Sequence, residues 1–200
     1  MKIRICFRGD DRNPQNIFLP GFRKRGQGSV LYRRGNNVAG DIEPSSAVCV
    51  SARISAAAMF PLKFDYKQPK VSDTYIYVVG IDTNRLTNTH QLQVRDGMSG
   101  LSHNSAQDAL WPLYAHELAL PVILGNQIIA AVKCTRTWHG DNWASGAIYE
   151  LHRQIIMNPG CNVPQTYFDA AIDFLQNEVA NHRRGTTPKT ASGYHQSTRQ

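Results

Sequence analysis

Little in these 200 residues supports membrane passage, metal binding or disulfide chemistry. Hydrophobic residues make up 42% of the chain, yet no uninterrupted apolar run approaches the ~18 residues that a membrane-spanning helix needs. The opening Met1-Lys2-Ile3-Arg4 leads straight into polar sequence and lacks the apolar stretch of a signal peptide. No membrane span is expected, and no export by that route unless a leader has been removed. The cysteines Cys6, Cys49, Cys134 and Cys161 are scattered, without the close pairs of zinc or redox motifs. Buried thiols are the expected reading, and a Cys49 to Cys134 disulfide stays open because it depends on whether their strands are neighbours.

Familiar catalytic signatures are missing too. The seven histidines show no metal-ligand spacing, and His116-Glu117 has no second histidine where a helical zinc-protease motif requires one. No metal is expected. There is no Gly-Lys-Ser or Gly-Lys-Thr phosphate loop and no nucleophile elbow, and Gly26-Gln27-Gly28 lacks the third glycine and the strand-to-helix setting of a dinucleotide loop. Arg8-Gly9-Asp10 spells an integrin-binding tripeptide, but three residues recur by chance.

Acidic residues are scarce: 15 Asp and Glu stand against 22 Lys and Arg, for a net charge of +7. The imbalance is concentrated, with nine Lys or Arg in residues 1 to 35 against only Asp10 and Asp11. Such a surface attracts phosphates, so the basic N-terminal face is a candidate contact for nucleic acid, although most basic faces are merely solvated.

A length of 200 residues favours one domain, read here as 1–185, with a flexible tail over 186–200 whose Thr, Ser, Gly and Gln cannot bury a core. Ile3 to Phe7 reads as a strand, followed by a turn at Asn13-Pro14 and a short helix near Gln15 to Leu19. Residues 23 to 46 read as loop. Ala47 to Ser51 is a short strand, then a helix begins with Ser55 as candidate N-cap and stops at Pro61. Thr74 to Ile81, rich in aromatic and β-branched residues, is expected to be a central strand. Residues 82 to 112 read as irregular, and Leu118 to Leu124 and Ile128 to Cys134 as strands joined by a turn at Gly125-Asn126-Gln127. Ile148 to Met157 and Thr166 to His182 are read as helices, the second with Phe168, Ala171, Ile172, Leu175 and Val179 at helical spacing and Gly185 closing it.

Four segments then form a pattern. Phe7-Arg8-Gly9-Asp10-Asp11-Arg12-Asn13-Pro14-Gln15-Asn16-Ile17 resembles the aromatic-Arg-x-Asp-x-Arg-x-Pro opening of the cholera-toxin and pertussis-toxin group of ADP-ribosyltransferases. Val50-Ser51-Ala52-Arg53 falls where that group has Val-Ser-Thr-Ser, and Tyr75 to Val78 is similar to its Tyr-Ile-Tyr-Val strand. Glu117-Leu118-Ala119-Leu120, with Gln127-Ile128 downstream, is similar to its catalytic Glu strand. The blocks keep the family's order over residues 4 to 134.

The resemblance implies an α+β fold of ADP-ribosyltransferase type, with two small antiparallel sheets packed around an NAD cleft and peripheral helices. It implies a mono-ADP-ribosyltransferase of toxin or effector type that cleaves the nicotinamide–ribose bond of NAD and passes ADP-ribose to a host protein, acting in a target-cell cytosol after delivery. Glu117 would be catalytic, its carboxylate stabilising the oxocarbenium-like centre that this cleavage builds. Arg8 would grip NAD through a rigid fork that Lys could not imitate, with Ser51 in support and Asp10 and Arg12 positioning neighbouring segments. Trp111 and Tyr114 would recognise the acceptor.

The chain departs from the family at Ala115, where an acceptor-orienting Glu or Gln commonly stands, and at Ala52 and Arg53. These departures keep two alternatives open: an ADP-ribosyltransferase-fold domain without chemistry that binds protein or polyanion through its basic face, and an NAD glycohydrolase without acceptor. On residue type alone, Arg8 reads as a surface cation, Glu117 equally well as a strand-end acid, and Trp111 and Tyr114 as core aromatics.

Overall fold

The computed structural model describes residues 2–23, 48–58, 71–85, 118–138, 147–181 and 183–186. Its strands in chain order are β1 (Ile3–Asp10), β2 (Phe22–Arg23), β3 (Val48–Val50), β4 (Val71–Asp82), β5 (Leu118–Leu120), β6 (Val122–Ile123), β7 (Ile128–Trp138), β8 (Ala147–Met157) and β9 (Arg184–Thr186). The helices are α1 (Ile54–Ala57) and α2 (Gln165–Asn181). One five-stranded antiparallel sheet, in the order β1-β4-β7-β8-β9, dominates, and β2-β6 and β3-β5 form two-stranded ribbons. In place of the two small sheets expected from the resemblance, the described residues form one large sheet and two ribbons, and the fold is mainly sheet.

Side-chain alternation along the central strands sorts residues into two apolar layers, because successive strand residues point to opposite faces. Cys6, Tyr77, Val79, Ile128 and Ala131 face the ribbons, where they pack with Phe22, Val50, Leu118 and Ile123. Phe7, Ile76, Val78, Val132 and Cys134 face the other way, against α1 and the Ala171, Ile172, Leu175 and Val179 stripe of α2. The period-3.6 pattern read from the sequence is thus the buried stripe of α2. As expected, β4 lies inside the sheet, between β1 and β7.

Several sequence expectations need correction. Residues 148–157 form a strand, because β8 pairs with β7 on one side and with β9 on the other, and Tyr149 and Leu151 alternate into the core. Gly185 lies in β9 and closes no helix; an added Cβ would fall 2.5 Å from the Tyr149 ring, so the ring occupies the space a side chain would need. Ser55 sits inside α1, whose N-cap is Arg53. The short helix near Gln15 is a 3-10 turn over Pro14–Asn16, with the Asn13 side chain accepting the Gln15 N–H at 3.0 Å. The Leu118 to Leu124 run is two strands divided at Pro121, and the first pairs with β3 while the second pairs with β2.

Cys134 is a free thiol on β7, in a different sheet from Cys49 on β3, so the open disulfide is not formed. Burial pushes the thiols of Cys6 and Cys134 up to about 12, which makes both inert at neutral pH. Among the described residues, no helix is long and apolar enough to cross a membrane, and no group of three or more His, Cys, Asp or Glu could hold a metal ion. Thr186 ends β9, and the stretches read as loop over 23–46 and 82–112 begin instead with Arg23 in β2 and with Asp82 in β4 followed by a 3-10 turn over Thr83–Arg85; residues 24–46, 86–112 and 187–200, and Pro61, lie outside the described residues.

Gly21 holds the first ribbon in place. Its φ is +70°, and an added Cβ would lie 2.1 Å from the Ile123 carbonyl oxygen. Gly21→Ala combines a left-handed strain with a backbone clash and should cost about 3 kcal/mol of unfolding free energy in denaturant titration. A loss below about 1 kcal/mol would show that β2 can leave β6 without penalty.

Candidate functional site

The site grows from the place where β1 meets β3. Phe7 and Ser51 exchange backbone hydrogen bonds of 2.7 and 2.8 Å, forming an isolated bridge between the large sheet and the β3-β5 ribbon. One residue past the bridge, Arg8 turns to the ribbon-facing side of β1, as alternation from Cys6 requires. One residue before Ser51, Val50 pairs with Leu118 of β5, and Leu118 is peptide-bonded to Glu117. Three segments more than 40 residues apart along the chain are thereby joined by backbone hydrogen bonds at one corner.

Asp10 organises the charges there. Its carboxylate is buried and accepts Arg12 through both Nε at 2.7 Å and Nη2 at 2.9 Å, with the Arg12 N–H at 3.2 Å and Arg8 Nη2 at 3.5 Å. Burial by itself would raise the Asp10 carboxyl, but the Arg12 hydrogen bonds and the two guanidinium charges outweigh it and hold the group below the ordinary carboxylate range. The same bond, against the opposing effect of burial, raises Arg12. Thr74 Oγ1 donates to the Asp10 carbonyl at 3.0 Å and Tyr77 donates its hydroxyl to the Arg12 carbonyl at 2.5 Å, so the end of β1 and the bend after it are tied to β4. Burial, with the Asp10 charge second, raises the Tyr77 phenol, which stays a neutral donor.

Because its folded value is depressed, Asp10 contributes stability that is present above the ordinary carboxylate value of 3.8 and lost as pH falls through the lower folded value. Asp10→Asn should therefore flatten the decline in unfolding free energy as pH falls below about 4, measured by urea titration at each pH. An unchanged acid limb would mean that other carboxylates carry it.

Phe22 completes the corner. The Arg8 Cζ lies 4.9 Å and the Arg12 Cζ 5.5 Å from the centroid of its ring, and Tyr77 meets that ring edge-on at 5.1 Å. Ser51 is buried, and its Oγ accepts the Arg53 N–H at 2.9 Å, which turns the chain from β3 into α1. Arg53 itself is exposed.

No protein-family model matches the chain, and no curated protein sequence matches it. Among solved structures, EcPltA is similar over 80% of this chain and 87% of its own, with a TM-score of 0.52 and 16% identity. The fold is ADP-ribosyltransferase-like. Two CARDS toxin chains, nicked and full-length, are similar over 81% of this chain at 17% identity, with TM-scores of 0.48 and 0.49. This chain spans only about a third of their length, 32% and 30%.

Of the residues the sequence pointed to, Arg8, Asp10 and Ser51 are gathered at this corner of the ADP-ribosyltransferase-like fold. Glu117, Trp111, Tyr114 and Ala115 lie outside the described residues. Phe22 and Tyr77 were given no role by the sequence reading. The i, i+2 spacing of Tyr75 and Tyr77 does carry a signal, since it puts two rings on one strand face, but nothing local links them to Phe22.

Proposed function

We propose that the chain is a toxin-type mono-ADP-ribosyltransferase domain that cleaves the nicotinamide–ribose bond of NAD and transfers ADP-ribose to a host protein. The observation that carries this reading is the joining of Arg8, Ser51 and the strand after Glu117 by the Phe7–Ser51 bridge and the Val50–Leu118 pair. Arg8, with its side chain 24% exposed, offers a partly desolvated planar cation to the diphosphate. Asp10 and Arg12 stiffen the strand end beside it, and Ser51 holds the turn behind the corner. Glu117 stabilises the positive ribosyl centre, and Trp111 and Tyr114 meet the acceptor. NAD serves as co-substrate, no metal takes part, and the domain acts in a target-cell cytosol after delivery.

Ala115 favours one second reading, NAD hydrolysis, because an alanine cannot orient an acceptor while water needs no such residue. The test is to incubate the chain with NAD labelled in the adenylate and follow nicotinamide release together with label on protein from a host-cell lysate. Release with protein label supports transfer, and release without it supports hydrolysis. No release overturns both. Weak, strongly salt-dependent nucleic-acid binding in its place would leave only a basic interaction surface.

A further inference from the structure

We infer that Phe22 is a positioning residue for the proposed NAD chemistry, its ring serving as the platform that fixes the Arg8 guanidinium; this rests on the NAD reading above. Asp10 is shared unequally between the two arginines. Arg12 takes the carboxylate in a two-pronged contact of 2.7 and 2.9 Å, while Arg8 reaches it only at 3.5 Å. Of the two guanidinium groups, that of Arg8 lies nearer the ring, its Cζ 4.9 Å from the centroid against 5.5 Å for Arg12. A cation over an aromatic face is attracted by the ring quadrupole, and this contact uses no N–H donor. The ring can thus set the plane of a guanidinium without drawing on the donors that grip a diphosphate.

The platform is itself immobilised. Phe22 is 1% exposed and lies across from Ile123 in the β2-β6 ribbon, behind the left-handed Gly21 that brings the two backbones together. Tyr77, whose hydroxyl is tied to the Arg12 carbonyl, braces the ring at an interplanar angle of 83°. An ordinary core phenylalanine is surrounded by apolar atoms. This one places two cations on its ring, an arrangement that packing alone does not call for.

The experiment replaces Phe22 by 4-fluoro-, 3,5-difluoro- and 3,4,5-trifluorophenylalanine, which keep the shape of the ring while draining its quadrupole stepwise. Two quantities are followed: the KM for NAD in nicotinamide release, and the order of the Arg8 side chain from nitrogen-15 relaxation. KM should rise with each fluorine to about tenfold, kcat should stay within about twofold, and Arg8 order should fall along the series. A merely structural ring would move neither trend. Flat KM in an active chain overturns the inference whatever Arg8 does, and so does flat Arg8 order. Falling Arg8 order in a chain whose unsubstituted form releases no nicotinamide overturns the NAD reading and, with it, the cofactor role of the ring.

Discussion

Replacing Glu117 by Gln is expected to slow nicotinamide release from NAD by about 10²- to 10³-fold in kcat, with KM for NAD changed by less than about threefold. The substitution keeps size and hydrogen-bonding reach and removes one negative charge. Cleaving a bond between a ribose and a cationic leaving group moves positive charge onto the ring carbon, so a carboxylate beside it interacts more strongly in the transition state than in the ground state. A loss of this size corresponds to about 2.7 to 4 kcal/mol of transition-state stabilisation. The anchoring of the neighbouring chain makes the expectation specific: Leu118 is 1% exposed and paired with Val50, so the Gln variant leaves β5 in its register and a fall in kcat reports chemistry. Wild-type turnover in the Gln variant would remove Glu117 from the mechanism and leave the fold without its proposed catalyst.

The same corner shows what sequence can and cannot convey. Strands built from residues with strong preferences were readable: Thr74 to Ile81 lies within β4, and Ile3 to Phe7 within β1. The stripe of α2 was readable because its 3.6-residue period is a local property. Residues 148–157 were not, since Ile148, Leu151 and Ile155 fall at helical intervals while the pairing that makes β8 a strand comes from β7 and β9, elsewhere in the chain. A long-range ladder overrode a local periodicity. The division at Pro121 follows the same logic. Proline cannot donate to a ladder, so the chain changes partners there and one apolar run serves two ribbons.

The candidate site was half legible. Arg8, Asp10 and Ser51 could be named because their neighbours along the chain form recognisable blocks, yet that they meet is set by a single bridge between Phe7 and Ser51. Phe22 left no trace of its role, because an aromatic after a glycine says nothing of which cations will lie over it. The carboxylate of Asp10 illustrates the same point: its neighbours in sequence include Arg8 and Arg12, but which of them takes the bidentate contact depends on the turn that Tyr77 and Thr74 hold.

Arg8→Lys is the second large effect expected, and it should appear in binding where Glu117→Gln appears in rate. Lysine preserves the charge, so any long-range attraction of the anionic nucleotide survives. What it loses is shape. An ammonium is compact and strongly hydrated, without the planar fork that can rest over the Phe22 ring at 4.9 Å and meet two phosphate oxygens at once. Losing one of two charge-assisted hydrogen bonds together with the ring contact amounts to about 2 to 3 kcal/mol. The dissociation constant for NAD, measured by calorimetry, should therefore rise by about 30- to 150-fold, with saturating kcat reduced by no more than about threefold. Arg12 keeps its 2.7 Å ion pair with Asp10 in this variant. If NAD affinity were unchanged in the Lys variant, charge alone would suffice at this position, and neither the fork nor the ring beneath it could be what holds the nucleotide.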